Sequence, residues 1–330
     1  MFNKKSILIT GGTGSFGQQM TRKILKEYKP KKLIIFSRDE LKQHQMQINF
    51  KNNNIRYFIG DVRDYTRLKT ATKSIDFIIH AAALKQVPIA EYNPFECIKT
   101  NIYGAENIIN CAIENNVKKV LALSTDKAAN PINLYGASKL ASDKLFIAGN
   151  NMAGKNGTRF SVVRYGNVFN SRGSVVPLFL NMFRNGRTSL PVTHKDMTRF
   201  SITLEEGANF VLKSMKIMQG GEIFVPKIPS YRILDLVKAI TKKSNYKITK
   251  IRPGEKINEV MCPQQDSHLT IEFKDHYVIM PAISFENKIN YMKNKLGQKG
   301  KKVKDSFEYS SNNNEHFLSI TDLQKLIKKI

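Results

Sequence analysis

No stretch of this chain approaches the run of roughly 18 apolar residues that a membrane-spanning helix requires. The first apolar run, Ile7-Leu8-Ile9, leads straight into a glycine-rich loop and is too short to be the core of a signal peptide. Cysteine is scarce. Cys97, Cys111 and Cys262 are far apart and odd in number, which argues against a disulfide framework. No Cys/His cluster has zinc spacing and the histidines are scattered, so no metal site is expected. These absences make a cytoplasmic protein the expectation. Acidic residues are also few, 27 against 53 Lys and Arg, for a formal charge of +26. A basic surface suits nucleic acid or anionic lipid. The lysines, however, are spread along the chain, and the largest local run is Lys299 to Lys304. No nucleic-acid motif with stacking aromatics accompanies them. A solvated Lys-rich surface is the expected reading, and a positive field would also tolerate a pyrophosphate ligand.

The first half alternates short apolar runs with helical stretches. Ser6 to Thr10, Lys32 to Phe36, Arg56 to Ile59, Phe77 to His80, Lys119 to Leu123 and Ser161 to Arg164 read as strands. Gln18 to Tyr28, Leu41 to Phe50, Thr66 to Thr72, Thr100 to Asn115 and Asn133 to Asn150 read as helices. This rhythm predicts an α/β fold, a Rossmann-type doubly wound parallel sheet. His80 closes an apolar run and is expected to be a packed histidine. Past residue 170, prolines loosen the pattern. Tyr231 to Thr241 and Thr321 to Lys329 still read as helices, and Gly297 to Asn314 as polar loop. The expected organisation is a dinucleotide-binding domain over 1–170 and a smaller α/β substrate lobe over 171–330, with some segments returning to the first domain.

The strongest local motif is Gly11-Gly12-Thr13-Gly14-Ser15-Phe16-Gly17, between a strand and a helix. Glycine is needed where backbone approaches a pyrophosphate, and the helix N-terminus supplies unpaired N–H groups. Cofactor choice is read at the end of the second strand. An acid there binds the ribose hydroxyls of NAD. This strand ends in Ser37-Arg38, a hydroxyl and a guanidinium that suit the 2′-phosphate of NADP. Asp39 and Glu40 follow, and Arg38 pairing with one of them is the alternative. Asp61 and Val62, after the third strand, are expected beside the adenine.

Tyr135 and Lys139 form Y-x-x-x-K, which puts both on one helix face. The spacing recurs at Tyr28/Lys32, Tyr65/Lys69, Tyr246/Lys250 and Tyr291/Lys295, so context must select. Only Tyr135 follows a strand ending in Ser124-Thr125 and precedes the small residues Gly136-Ala137-Ser138, which are expected to admit a cofactor closely. A lysine ammonium on that face is expected to lower the tyrosine pKa and to hold the nicotinamide ribose.

In this order the glycine loop, Asn101 in Thr100-Asn101-Ile102-Tyr103-Gly104, Ser124-Thr125 and the Tyr135/Lys139 pair resemble the extended short-chain dehydrogenase/reductases over nearly the whole chain. Thr125-Asp126-Lys127-Ala128 and Asn130-Pro131-Ile132-Asn133-Leu134-Tyr135-Gly136 resemble the inverting UDP-N-acetylglucosamine 4,6-dehydratases, which make the first intermediate toward pseudaminic acid, a sugar of some flagellins. Retaining dehydratases carry Asp-Glu at the Asp126-Lys127 position. The resemblance implies Thr125, Asp126, Lys127, Tyr135, Lys139 and Asn101 as catalytic, with Asp126 as acid and a neutral Lys127 as base. It implies tightly bound, recycled NADP, held also by Ala81, Ala82, Ala83 and Lys85. It implies a UDP-sugar held by Lys85, Asn167, Val175, Arg199, Arg252 and Glu255, and a homo-oligomer, dimer or hexamer. One departure stands out: the family's Gly-Glu-Lys-Leu/Ile-His-Glu appears here with Asn258 in place of His. Simpler readings exist. Arg199 and Arg252 suit surface ion pairs, Lys85 a solvated lysine, and Asp126 a cap. The rival functions are another dehydratase or 4-epimerase of the same superfamily, and a basic NADP-binding regulatory or RNA-binding protein.

Overall fold

The computed structural model describes residues 1–171, 173–243, 245–283 and 289–329. The first apolar run forms β1 (Ser6–Thr10), buried at every residue. Such burial is what a strand shows when helices cover both faces of a parallel sheet. The chain continues through α1 (Ser15–Glu27), β2 (Lys32–Ser37), α2 (Glu40–Phe50), β3 (Ile55–Ile59), α3 (Tyr65–Ala71) and β4 (Phe77–His80). Asp39 and Asp64 open α2 and α3, each accepting a backbone N–H three residues on.

Periodicity reads Thr100 to Asn115 as one helix, and the structure divides this region further. Two short helices, α4 (Val87–Tyr92) and α5 (Pro94–Ile98), come first, each with proline in its opening turn. They are too short to leave a clear 3.6-residue pattern. A π-helical turn over Lys99–Tyr103 then leads into α6 (Gly104–Glu114). After it come β5 (Lys119–Thr125), a single 3-10 turn at Asp126–Ala128, α7 (Leu134–Ala153) and β6 (Arg159–Tyr165).

The second half supplies β7 (Asn167–Val168), α8 (Val175–Arg184), β8 (Leu190–Val192), β9 (Thr198–Ile202) and α9 (Leu204–Ile217). It continues with β10 (Ile223–Pro226), β11 (Ser230–Arg232), α10 (Ile233–Thr241), β12 (Tyr246–Ile248) and β13 (Val260–Cys262). It closes with β14 (Thr270–Glu272), β15 (His276–Ile279), β16 (Lys301–Lys302), β17 (Tyr309–Ser310) and α11 (Ile320–Lys328). Tyr231 therefore lies in a strand paired with Arg199 rather than in the helix expected from Tyr231 onward. The expected loop at Gly297 to Asn314 contains the two-residue strands β16 and β17. Strands this short carry no alternation to read.

The large sheet runs β3-β2-β1-β4-β5-β6-β10-β15-β14-β16. From β3 to β10 every pairing is parallel, and β15, β14 and β16 add antiparallel neighbours. The order reverses between β1 and β4, the switch point where open α/β sheets leave a crevice at their carboxyl ends. One apolar core holds this sheet and its helices, including α9. A second, under Phe179, Leu190, Tyr231, Leu236 and Leu323, joins α8, β8, α10 and α11.

His80 is packed, as expected. It is 1% exposed, its Nδ1 pairs with Thr10 Oγ1 at 2.8 Å, and burial takes its pKa down to about 3. A buried ion pair also ties the sheet to α7. Arg164 in β6 meets Asp143 at 3.2 Å, both almost wholly enclosed, and Ser124 Oγ donates to the same carboxylate oxygen at 2.7 Å. Arg164 Nη1 also donates to the Met261 carbonyl at 3.1 Å. Removing one member of such a pair strands the other charge. Asp143→Ala is expected to cost about 3–5 kcal/mol, seen as a clear fall in the thermal midpoint. An unchanged midpoint would show that water reaches Arg164.

Candidate functional site

The carboxyl ends of the parallel strands open on one cavity of about 780 Å³. Its wall includes Gly11 after β1, Ser37 and Arg38 at β2, Gly60 after β3, Ala81 after β4, Thr125 at β5 and Gly166 after β6. Of the residues expected to be catalytic or to hold the cofactor or the UDP-sugar, all line this cavity except Asp126 and Asn101. Ser171-Arg172-Gly173-Ser174-Val175-Val176-Pro177, at the entry to the second half, also resembles the sequence of the inverting dehydratases, and its Arg172 lies outside the described residues.

At one end sits the glycine loop. Gly11 has φ +63°, and a Cβ there would lie 2.8 Å from the Ala81 carbonyl oxygen. A Cβ on Gly17 would lie 2.3 Å from the Gly12 carbonyl oxygen, so α1 approaches β1 only through glycine. Gly14 caps α1 without any side-chain hydrogen bond, and its first-turn N–H groups lie beside the cavity. Ser37 is nearly buried, and its hydroxyl accepts from Gln43 Nε2 at 3.1 Å. Arg38 is half exposed and pairs with Asp61 at 3.5 Å, not with Asp39 or Glu40. Asp39 pairs instead with Lys42, a cavity residue that sequence reasoning passed over.

At the middle, the 3-10 turn after β5 and the first turn of α7 bring the polar groups together. Asn133 caps α7 by accepting the Gly136 N–H at 2.8 Å, and its own amide donates to the Gly254 carbonyl at 2.8 Å. A Cβ on Gly136 would lie 2.2 Å from the Lys127 carbonyl oxygen. The small residues after Tyr135 were expected to admit a cofactor. Gly136 instead admits the Lys127 backbone, and Gly136, Ala137 and Ser138 do not line the cavity. Asn101 is a brace behind the site. Its amide donates to Ser138 Oγ at 2.9 Å and to the Leu84 carbonyl at 3.0 Å, and its Oδ1 accepts the Leu84 N–H at 2.8 Å.

Asp126 is fully buried beneath the cavity wall. Its Oδ1 accepts from Thr125 Oγ1 at 2.9 Å and from Lys127 Nζ at 3.1 Å, while Oδ2 has no partner among the described residues. Lys127 Nζ also meets Glu259 at 3.1 Å and donates to Asn167 Oδ1 at 3.2 Å. Burial opposes the Lys127 charge, but the two carboxylates outweigh it and raise the pKa above the ordinary lysine value. The neutral amine expected for Lys127 is therefore not its resting state. Burial raises the Asp126 carboxyl, with Lys127 pulling it back and Glu259 adding to the rise.

Tyr135 is nearly buried, and burial pushes its phenol up to about 12 against the pull of the Lys127 cation and the hydrogen-bonding Thr125 hydroxyl. Lys127 is thus the cation that acts most on Tyr135, the part expected of its helix neighbour Lys139. Lys139 is 3% exposed and lowered by burial, with Asp143 opposing. Lys85 also lines the cavity and is lowered by burial and then by the Lys127 cation.

At the far end, Val175 opens α8 and Arg199 sits in β9. Arg199 is 6% exposed, so the surface ion-pair reading does not describe it. Its Nη1 donates to the Thr198 and Ile257 carbonyls at 2.7 and 2.9 Å. Its other nitrogens lie 3.6 Å from Glu255 and 3.8 Å from Glu259. Arg252 is exposed on the cavity rim, and its N–H donates to Glu255 at 3.3 Å. Asn258, which replaces the family's histidine, turns its Oδ1 to accept from Thr198 Oγ1 at 2.8 Å. Glu259 is the residue the sequence reading missed. Its signal is the second acid of Gly254-Glu255-Lys256-Ile257-Asn258-Glu259.

A glycine cradle, a parallel switch point and a cavity across them define a Rossmann-type α/β protein. A profile of the polysaccharide biosynthesis protein family matches residues 7–281. The chain belongs to that family. It is 58% identical, over 99% of its length and 98% of the relative's, to the UDP-N-acetylglucosamine 4,6-dehydratase (inverting) of Campylobacter jejuni. It is 40% identical to a UDP-glucose 4-epimerase of Rickettsia canadensis, over 99% of this chain and 96% of that one. Among solved structures, Pen from Bacillus thuringiensis superposes with a TM-score of 0.89 at 36% identity, covering 100% of this chain and 98% of the other. The expected fold class and the expected dehydratase resemblance both agree with these findings. Among the described residues, no helix is long and apolar enough to cross a membrane.

Proposed function

We infer that this chain is a UDP-N-acetylglucosamine 4,6-dehydratase that inverts C5, giving UDP-2-acetamido-2,6-dideoxy-β-L-arabino-hex-4-ulose. The observation that carries the reading is one continuous cavity. The glycine cradle stands at one end, Lys127 and Tyr135 at the middle, and Arg199, Arg252 and Glu255 at the other. A 4-epimerase needs only a group that exchanges a proton at O4. A buried acid touching a lysine, beside such a tyrosine, supplies the further acid and base that loss of water requires.

The cradle fits a dinucleotide, because Cβ atoms at Gly11 and Gly17 would strike backbone where the pyrophosphate loop must stay close-packed. Ser37 and Arg38, with Lys42 beside them, favour the 2′-phosphate of NADP over NAD. Asp61 stands near Arg38 but faces its guanidinium, so it does not play the part of the ribose-binding acid at the end of β2. A bound nicotinamide would take up the C4 hydrogen as hydride and return it at C6, with no net redox change.

The remaining work falls to the chain. Tyr135 accepts the proton of the C4 hydroxyl, and its raised pKa requires the Lys127 cation to stabilise the phenolate, with the Thr125 hydroxyl turning from Asp126 toward it. A ketone at C4 acidifies the C5 hydrogen. Lys127 rests as an ammonium, so it becomes a base only after giving up a proton. Transfer to Asp126, 3.1 Å away, yields a neutral amine and a carboxylic acid together. The amine takes the C5 proton and the acid protonates the C6 hydroxyl, which leaves as water. As the hydride would return to C6, Tyr135 would give the proton it took from the C4 hydroxyl to C5 from the opposite face, which inverts that centre and restores the phenolate. Arg199 and Arg252 suit the diphosphate, and Lys85, Asn167, Val175 and Glu255 line the part of the cavity left for sugar and uridine. In this arrangement residues 1–170 hold the dinucleotide, and residues 171–330 mainly hold the nucleotide-sugar. A homo-oligomer belongs to the same reading.

Incubation with UDP-N-acetylglucosamine in deuterated water, followed by NMR, tests the reaction. The expected product is the L-arabino 4-keto sugar with deuterium at C5. A D-xylo product or a 4-epimer would contradict the reading. For the cofactor, Arg38→Ala is expected to weaken NADP binding about tenfold or more while changing NAD binding little, as read by titration calorimetry. Equal losses for both would remove the phosphate role.

A further inference from the structure

Glu259 is not needed by the mechanism above, yet it is 2% exposed and directed at the reacting groups. A carboxylate is costly to bury unless it is paired. This one has partners placed from several elements. Lys127 Nζ lies 3.1 Å from its Oε1, and Arg199 Nε 3.8 Å from the same atom. Its backbone N–H donates to Ser311 Oγ at 2.9 Å, and its carbonyl accepts the Ser311 N–H at 2.8 Å. Ser311 in turn pairs with Thr198 Oγ1 at 2.6 Å, and Thr198 donates to Asn258. The tail segment at Ser310–Ser311 thus clamps the loop that carries Glu259. Its second oxygen, Oε2, is buried without a partner among the described residues, as is Asp126 Oδ2.

Resting on the dehydratase reading, we propose that Glu259 is a positioning residue of the reaction, a second buried carboxylate that holds the Lys127 ammonium between itself and Asp126. The geometry gives it two effects. It fixes the amine beneath the sugar site, so that Lys127 cannot swing toward the cavity rim. It also places a permanent anion within about 6 Å of Asp126, since both carboxylates contact one nitrogen.

The charged and titratable groups around this cluster are Lys127, Asp126, Arg199, Lys256, Lys85 and Glu255, with Tyr135 and Tyr231 nearby. Burial opposes the Glu259 charge, but Lys127 and then Arg199 win and hold its pKa below the ordinary glutamate value. Glu259 therefore stays an anion while Asp126 and Lys127 exchange a proton. The active form of that pair carries one proton. It is lost at low pH by a second protonation and at high pH by complete deprotonation. A neighbouring anion raises both transitions.

The experiment is the pH profile of kcat for the cofactor-loaded enzyme and its Glu259→Gln variant. Both limbs are expected to move to lower pH, by about one to two pH units for a full charge at this distance, with kcat reduced more than KM is changed. Limbs that stay in place, in a variant with wild-type thermal midpoint and cofactor content, would reduce Glu259 to a structural residue. If Glu259→Gln does not fold, Glu259→Asp decides. It keeps the charge and shortens the arm, so the limbs stay while kcat falls. An unchanged kcat would overturn the positioning role. A second readout needs no turnover: the infrared band of the Asp126 carboxylic acid, assigned by its loss in Asp126→Asn. Its titration midpoint is expected to fall in Glu259→Gln, and a fixed midpoint contradicts the proposal. A wild type that leaves UDP-N-acetylglucosamine unchanged would sink the dehydratase reading alone, since the infrared midpoint would still decide this one.

Discussion

The site is organised around one ammonium held between two buried carboxylates. Lys127 meets Asp126 and Glu259, each at 3.1 Å, and the elements that deliver the three groups are distant in sequence. Asp126 and Lys127 follow β5, and Glu259 precedes β13. A buried anion without its cation would be expelled or protonated, so the loop at 252–259 and the 3-10 turn at 126–128 must be brought together or both are destabilised. The rest of the site accommodates that constraint. Gly136 has no side chain because the Lys127 carbonyl occupies that space. Asn133 and Lys256 tie the same two segments, through Gly254 and the Ala129 carbonyl.

This constraint also connects the two ends of the cavity. The glycine cradle is built on the β1 edge of the switch point and needs only close backbone packing. The far end is built on β9 and the 252–259 loop, which depend on the Lys127 cluster and on the tail around Ser311 for their position. Arg199 belongs to both sets, because it faces the cavity and also borders Glu259. A ligand anion at Arg199 would therefore act on the same Lys127 cluster.

The first half of the fold was legible because parallel strands buried on both faces are continuous apolar runs. The glycine loop was legible because close backbone approach allows only one residue type. The Tyr135/Lys139 pair was legible only through its neighbours, Ser124-Thr125 before and Gly136 after. What escaped were features fixed by tertiary packing. The helices at 87–98 are too short for periodicity, and β16 and β17 are two residues each. The charge on Lys127 escaped as well. From sequence it was a candidate base with a lowered pKa. Only the structure shows that Glu259, more than a hundred residues away, completes an ion pair that raises it. Asn258 was visible as a departure, but its bond to Thr198 was not.

The claim on which the account rests is that this cavity removes water across C5 and C6 rather than exchanging configuration at C4. The most direct measurement uses UDP-N-acetylglucosamine deuterated at C4, mixed with unlabelled substrate, with the product read by mass spectrometry and NMR. Deuterium is expected at C6 of the 4-keto product, moved within each molecule and never between molecules. Deuterium retained at C4 in a sugar epimerised there, with no loss of water, would contradict it.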